Sequence, residues 1–253
     1  MGNLFKTTTA GGGQVTSLGN GAWRLGIPAG KEGSYRLAQL DDYARLRRAR
    51  FPWRAPVSMR LQARASGEDI GGTWGFGVWN DPFSFSLGFS GAARRLPALP
   101  NTAWFFNAAA PNYLSLRDDR PAQGFLAASF LAPRLPAALL APAAPLLPLL
   151  AWPPAARALR RMGRAVVQQD AAALSLSAVE WHSYALTWTA KRVIFEVDAQ
   201  RVFETTTAPG GALGFVVWID NQYAALPPDG RMAYGTLPTR EPAWIEIKDI
   251  CIQ

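Results

Sequence analysis

Apolar side chains along this chain recur with a period of two far more often than with the period of a helix. In "APVSMRLQARAS" the residues Val57, Met59, Leu61 and Ala63 fall on one side of the alternation. A strand projects successive side chains to opposite faces, so such spacing predicts a half-buried strand. "SYRLAQLDDY" likewise sets Tyr35, Leu37 and Gln39 against Arg36, Ala38 and Leu40, and "WHSYALTWT" sets Tyr184, Leu186 and Trp188 against Ser183, Ala185 and Thr187. The same texture runs through "TWGFGVWND", "FSFSLGFS", "TAWFFNAA", "NYLSLRDD", "GFLAASFLA", "RVIFEVDAQRVFET", "GALGFVVWIDN" and "AWIEIKDICI". About a dozen short strands divided by turns, with little helix, predict an all-β sandwich or barrel. The Gly/Thr-rich first twenty residues are expected to be loose at the start, with Asn20–Gly21 a turn ahead of a short strand.

One stretch breaks the pattern. From Leu135 to Ala156, "LPAALLAPAAPLLPLLAWPPAA" carries no charge across 22 residues, and its six prolines forbid a regular helix. "RALRRMGRAVV" follows, a basic segment in which Leu159, Met162 and Val166 have helical spacing. Residues 131–167 therefore read as an apolar Pro-rich insertion plus a short helix-like segment within one domain, 1–253. Three roles stay open for it: packing on its own sandwich, a flap over an apolar site, or contact of 135–165 with an anionic membrane surface. In the last, Arg157, Arg160, Arg161 and Arg164 would sit at the headgroups.

Two strands raise a question. "GFGVWND" (Gly75–Asp81) and "GFVVWIDN" (Gly214–Asn221) are nearly one phrase written twice, too far apart to mark a repeat array. Alternation groups Gly75, Gly77, Trp79 and Asp81 against Phe76 and Val78, and Gly214, Val216, Trp218 and Asp220 against Phe215, Val217 and Ile219. The uniformly apolar sets belong in a core. The other sets would each deliver a Trp and a carboxylate to one concave face, their small residues leaving room for a ligand. Trp rings stack on the apolar side of a sugar, and Asp or Asn can accept its hydroxyl hydrogen bonds. The plainer reading is that the Trp residues pack and the Asp residues form turns.

The C-terminal third adds a resemblance. "EWHSYALTWTAKRVIFEVDAQRVFET" resembles the segment of family 16 glycoside hydrolases that reads aromatic-His-x-Tyr, then x-Trp, then Ile-x-Phe/Trp-x-Val-Asp-Gly. "AWIEIKDICIQ" is similar to that family's closing strand, and "GTWGFGVWNDPF" to its Trp-rich strand. The resemblance implies a concanavalin A-like jelly roll, two curved antiparallel sheets with a cleft across the concave one, and a structural role for His182. The family's chemistry uses Glu-x-Asp-x-x-Glu on one strand, because retention needs two carboxyl groups about 5–5.5 Å apart. Aligned by the following Pro-Asn-Tyr-Leu, those carboxylates fall here on Ala103, Phe105 and Ala108, none of which ionises. On this alignment Ala103, Phe105 and Asn107 are expected to face the cleft and Trp104 and Phe106 the core.

Composition narrows the chemistry further. Net charge is +8, and only four of the 26 basic residues are lysine. A GC-rich bacterial genome writing Arg for Lys explains that as well as does attraction to an anionic lipid or acidic glycan. No nucleic-acid motif is present, so no nucleic-acid partner is expected. The single histidine excludes mechanisms needing two, and no metal cluster, nucleophile elbow, phosphate loop or cofactor motif occurs. The start of the chain shows neither a secretory core nor a complete myristoylation signal, which points to a cytoplasmic protein, peripheral to a membrane at most.

These readings converge on a non-hydrolytic binding protein on a family 16-like scaffold. The expected ligand-binding residues are Trp79, Asp81, Phe105, Asn107, Trp218, Asp220 and Asn221, and the ligand is a glycan or an apolar or amphipathic small molecule. The alternatives are a glycosidase with relocated carboxylates, for which Asp81 and Asp220 are the candidate pair, and the peripheral membrane protein.

Overall fold

The computed structural model describes residues 5–82, 98–119, 122–135 and 151–253. The strand expected over "FSFSLGFS" and most of the apolar insertion lie outside the described residues. Two seven-stranded sheets stack face to face. The front sheet runs, edge to edge, β1 (Lys6–Ala10), β4 (Leu37–Asp41), β13 (Gly214–Asp220), β6 (Thr73–Trp79), β7 (Thr102–Ala108), β8 (Gly124–Leu131) and β9 (Gln168–Ala173). The back sheet runs β12 (Gln200–Thr205), β11 (Val193–Val197), β10 (His182–Trp188), β5 (Val57–Ala65), β16 (Ala243–Ile252), β3 (Ala22–Ile27) and β2 (Gln14–Gly19). A small hairpin of β14 (Gln222–Ala225) and β15 (Ala233–Thr236) stands apart. Every pairing within the two sheets is antiparallel, and neighbours in a sheet come from distant parts of the chain, as in a jelly roll.

The alternation seen in the sequence builds the core. Val57, Met59, Leu61 and Ala63 of β5 and Tyr184, Leu186 and Trp188 of β10 all point between the sheets. From the front sheet they meet Phe76 and Val78 of β6 and Phe215, Val217 and Ile219 of β13. Trp188 is buried without an orphaned donor, since its Nε1 donates to the Pro209 carbonyl at 3.0 Å. The first four residues, the very start expected to be loose, lie outside the described residues. From Lys6 onward, "KTTTA" is β1, paired residue for residue with β4 as the front sheet's edge, and β2 is the edge of the back sheet. Three consecutive β-branched threonines, Thr7–Thr9, suit such an edge, which the Gly/Thr composition alone obscures.

Two turns match their sequence signals. Asn20 and Gly21 join β2 to β3 with φ of 49° and 77°, the geometry of a two-residue hairpin. Asp198 and Ala199 join β11 to β12 with φ of 50° and 63°, and Ala199 occupies the place of the glycine in the Val-Asp-Gly pattern. His182 fastens this corner: its Nδ1 lies 2.6 Å from Asp198 Oδ2 and its Nε2 3.1 Å from the Ser177 carbonyl. The histidine is held as a structural residue.

The basic segment is helix α1 (Pro153–Val166), opened by two prolines in its first turn, where no intrahelical N–H is lost. Its arginines are divided: Arg157, Arg161 and Arg164 are exposed, and Arg160 is not. Arg160 is buried at 3% exposure and donates to the carbonyls of Ser115 (2.7 Å), Leu226 (2.6 Å) and Arg117 (2.8 Å) and to Asp118 Oδ1 (2.9 Å). Arg164 also pairs with Asp118, and Arg157 reaches the Asp229 carbonyl at 3.4 Å. Four headgroup-facing arginines are therefore the wrong picture, because an Arg fork serves here to close carbonyls left open by two loops. Leu159, Met162 and Val166 lie on the exposed side. Among the described residues no helix is long and apolar enough to cross a membrane.

Arg160→Met removes the donor for three buried-side carbonyls and is expected to lower unfolding free energy by about 3 kcal/mol. Arg161→Met, on the exposed side of the same turn, changes it by less than about 0.5 kcal/mol. Urea unfolding of the two variants side by side checks both values.

Candidate functional site

The twin phrases are neighbouring strands. β6 and β13 run antiparallel with Trp79 opposite Gly214 and Trp218 opposite Gly75. Each Trp thus faces a residue without a side chain, and its ring can lie flat over the partner strand. A Cβ on Gly75 would stand 2.9 Å from Cη2 of Trp218, closer than real contacts allow. The two rings are parallel, with centroids 6.0 Å apart and 2° between planes. The room at Gly75 is filled by the Trp218 ring and that at Gly214 by the Tyr43 ring, so neither is free for a ligand, contrary to the sequence expectation.

β7 completes the surface on the other side of β6. Its register places Trp104 opposite Gly77 and Phe106 opposite Gly75. Trp104 packs 5.3 Å from Trp218 and 5.9 Å from Trp79, and Phe106 lies 5.9 Å from Trp218. Trp79 Nε1 donates to the Tyr43 hydroxyl at 2.6 Å, and Phe130 of β8 closes the strip against Trp104 at 6.3 Å. The outer side of the front sheet is therefore an aromatic cluster separate from the inter-sheet core. It is the side on which the sequence placed the cleft, since it bears Trp79 and Trp218.

The expected facing of β7 is reversed. Phe105 is fully buried in the inter-sheet core, with its ring 5.0 Å from Tyr184 and 5.3 Å from Phe195 of the back sheet. Pairing of Phe76 with Phe105 and Val78 with Ala103 fixes this, because cross-strand partners share a face. Asn107 is two residues from Phe105 and takes the core side with it. Trp104 and Phe106 form the outer side instead. The strand is apolar on both faces, so its own alternation could not say which is which. The signal available was across strands: bulky residues spaced to meet the glycines of β6.

The polar candidates also separate. Asp220 lies at one end of β13, level with Thr73, while Asp81 lies two residues beyond Trp79 at the other end. Eight residues of strand rise place them on the order of 26 Å apart, far outside the separation a glycosidase pair needs, at most about 9.5 Å. They are not a relocated catalytic pair. Asn221 is fully buried and spent on the scaffold: its Nδ2 donates to the carbonyls of Ser34 (3.0 Å) and Leu237 (2.9 Å), and its Oδ1 accepts from Arg36 N (2.8 Å). Asp81 is buried too, with φ of 50° at the turn it forms. Among the described residues no group of His, Cys, Asp and Glu could hold a metal.

Asp220 ends a short relay. Trp218 Nε1 donates to Thr73 Oγ1 at 3.0 Å, and that hydroxyl donates to Asp220 Oδ1 at 2.8 Å. Burial pushes the Asp220 carboxyl up to about 7, against the lowering effect of the hydrogen bonds from Thr73 and the Gln222 N–H. Burial likewise pushes Asp42 up to about 6, though Trp53 Nε1 and the Phe215 N–H donate to it. One polar atom of the strip is left over: Trp104 Nε1 is buried and has no hydrogen-bond partner.

No protein-family model matches the chain, and no curated protein is detectably similar in sequence. Among solved structures it is similar to a glycoside hydrolase family 16 endo-glucanase from Bacteroides ovatus, with TM-score 0.50 and 10% identity over 99% of this chain and 94% of that one. It is also similar to LamAcat from Zobellia galactanivorans (0.48, 10% identity, 92% and 78% covered). A legume lectin-like domain from Entamoeba histolytica gives 0.47 at 7% identity, with 98% and 89% covered. At these identities the likeness shows the fold alone, a concanavalin A-like jelly-roll sandwich.

The raised carboxyls set a pH dependence. Unfolded Asp titrates near 3.9, whereas folded Asp220 holds its proton to about 7. Between those values the folded state binds more protons than the unfolded one, so this group's contribution to stability falls as pH rises through the window. Asp220→Asn removes that fall. Urea unfolding at pH 4.5 and 7.5 is expected to show the variant gaining on the parent at the higher pH, with Asp42 leaving a smaller slope of the same sign in both.

Proposed function

We propose that the outer face of the front sheet binds a carbohydrate and does not hydrolyse it. The observation that carries this is β7, the strand beside the paired tryptophans, which presents Trp104 and Phe106 outward and has no ionisable group on either face. Parallel and tilted indoles in a strip suit the flat apolar side of pyranose rings, and the half-buried Gln39 amide supplies a polar group beside them. Hydrolysis needs two carboxyl groups straddling the glycosidic bond. On the strand aligned with the family's catalytic motif stand Ala103, Phe105 and Ala108, and the candidate pair Asp81 and Asp220 is split across the length of the sheet. The scaffold, shared with an endo-glucanase, supports the carbohydrate reading.

A second reading has its own observation. Trp104, Phe106 and Trp218 are only 8%, 4% and 7% exposed, so a ligand reaching them enters among the rings. The unpartnered Trp104 Nε1 would then donate to an acceptor on an apolar or amphipathic small molecule.

Calorimetry against neutral β-glucan oligosaccharides, with native mass spectrometry of the purified protein, decides between them. Trp79→Ala, the half-exposed member of the trio, is expected to weaken oligosaccharide binding about five- to tenfold, with no reducing sugar released by the parent. Released reducing sugar overturns the non-hydrolytic assignment. A co-purified apolar molecule without affinity for any oligosaccharide selects the second reading.

A further inference from the structure

We infer that the outer side of helix α1 docks the protein on an anionic lipid bilayer, with Trp152, Leu159, Met162 and Val166 entering the headgroup layer. This goes beyond the carbohydrate reading and uses a different surface. Among the described residues, large apolar or aromatic side chains are exposed at eight positions, and four of them are these. Trp152 and Met162 are 62% and 65% exposed, so most of each side chain meets water. Exposed apolar side chains scattered singly are ordinary on a protein surface; several in one strip mark an interaction site.

The helix has two unlike sides. Ala156 and Arg160 are buried, and Gly163 brings the helix against Leu116, where an added Cβ would lie 3.5 Å from the leucine methyl carbons. Arg160 and Arg164 turn toward Asp118. At about 100° per residue, Leu159, Met162 and Val166 fall within about 60° of one another, on the side away from Arg160 and Arg164. Trp152 stands at the head of the helix as its N-cap residue, and Arg161 is exposed one position before Met162. The strip continues past the helix end. Val166 lines a hollow of about 370 Å³ with Leu131, Ala132, Pro133 and Arg134, of which Pro133 and Arg134 are exposed.

Arginines without a carboxylate partner occur elsewhere, so it is the apolar strip that singles out this surface. Charge and shape then choose its partner. Between Asp119 and Asp170 the sequence holds six arginines and no acid. A second copy of the chain, packed strip to strip about a two-fold axis, would bring the same cationic border against itself. An anionic bilayer instead offers negative headgroups directly above an apolar layer, which matches an apolar strip bordered by Arg161 and Arg134. The strip is also a ridge, one side of a helix. A bilayer moulds itself to a ridge, whereas a protein partner has to supply a groove. An indole at the head of the helix suits the headgroup level, where Trp is enriched. The 14 residues of α1 span about 21 Å, a length that lies in the plane of the interface and does not cross it.

The test is co-sedimentation of the full chain with vesicles of phosphatidylcholine, alone or with about one quarter phosphatidylserine. The parent is expected to bind the anionic vesicles, and Leu159→Gln/Met162→Gln to bind them about tenfold less tightly. Arg161→Gln is expected to lose about fivefold on anionic vesicles and nothing on neutral ones. All three positions are exposed, so urea unfolding of these variants should match that of the parent. In a second measurement, lipid with brominated chains in the anionic vesicles is expected to quench the parent's indole emission, and Trp152→Phe to remove that quenching. Absence of parent binding to anionic vesicles overturns the inference. So does binding that the double variant leaves unchanged, or binding of equal strength to neutral and anionic vesicles. A concentration-dependent dimer, lost in the double variant and accompanied by no vesicle binding, assigns the strip to a second copy and overturns the lipid assignment.

Discussion

The front sheet depends on a register in which large rings face glycines across neighbouring strands. Trp79 stands opposite Gly214, Trp218 opposite Gly75 and Trp104 opposite Gly77. Opposite Gly75 the Trp218 ring reaches over the partner strand, and three indoles with Phe106 form one aromatic surface across three strands. The constraint runs in both directions. A Cβ on Gly214 would collide with the Tyr43 ring, and Tyr43 is the residue whose hydroxyl receives Trp79 Nε1. A one-residue slip of β13 against β6 would turn Trp218 into the core and Phe215 outward. The phrase is written twice because both halves of the interlock need the same grammar, Gly and Trp spaced to meet each other's counterpart.

This also explains where the sequence could be read and where it could not. The sandwich, its core from β5, β10, β6 and β13, and the shared face of Trp79 and Trp218 follow from alternation, since those strands are apolar on one side only or carry glycine on the other. β7 defeats the same logic. "TAWFFNA" is buried throughout, so its two sides look equally suited to a core, and only pairing with β6 assigns Phe105 inward and Trp104 outward. Asp81 and Asp220 looked like a pair because their phrases matched. The strands carrying them run antiparallel, and matching positions on antiparallel neighbours end at opposite ends. Asn221 and Arg160 show a further limit: a polar residue in a promising place can be consumed by backbone groups that no pattern in the sequence reveals.

Burial of the aromatic strip changes what its polar neighbours can be. Asp220 sits at the end of an indole–hydroxyl relay, in a place where removing water favours the neutral acid. A glycosidase needs one carboxyl ionised and one protonated within reach of a single bond. On this face Asp220 holds its proton toward neutrality at one end of the strip, tied to the scaffold, while Asp41, opposite Val216, is occupied by the Gln39 amide and the Tyr43 and Ala44 N–H groups. The same dryness makes the orphaned Trp104 N–H costly, and a bound acceptor is one way for the protein to recover that cost.

The charge of the chain, ambiguous as a total, gains meaning from its distribution. On the back sheet Arg24, Arg64 and Lys248 lie over Trp244 and Trp181, with Glu246 between the two arginines. Burial opposes ionisation of that glutamate, but the hydrogen bonds and charges of Arg64 and Arg24 hold it below the usual carboxylate range, so the ladder neutralises part of its own charge. Elsewhere Arg60 on the back sheet, Arg161 on the helix and Arg240 near the C-terminus have no carboxylate partner among the described ion pairs, so the excess of arginine is matched in places and spread unmatched in others.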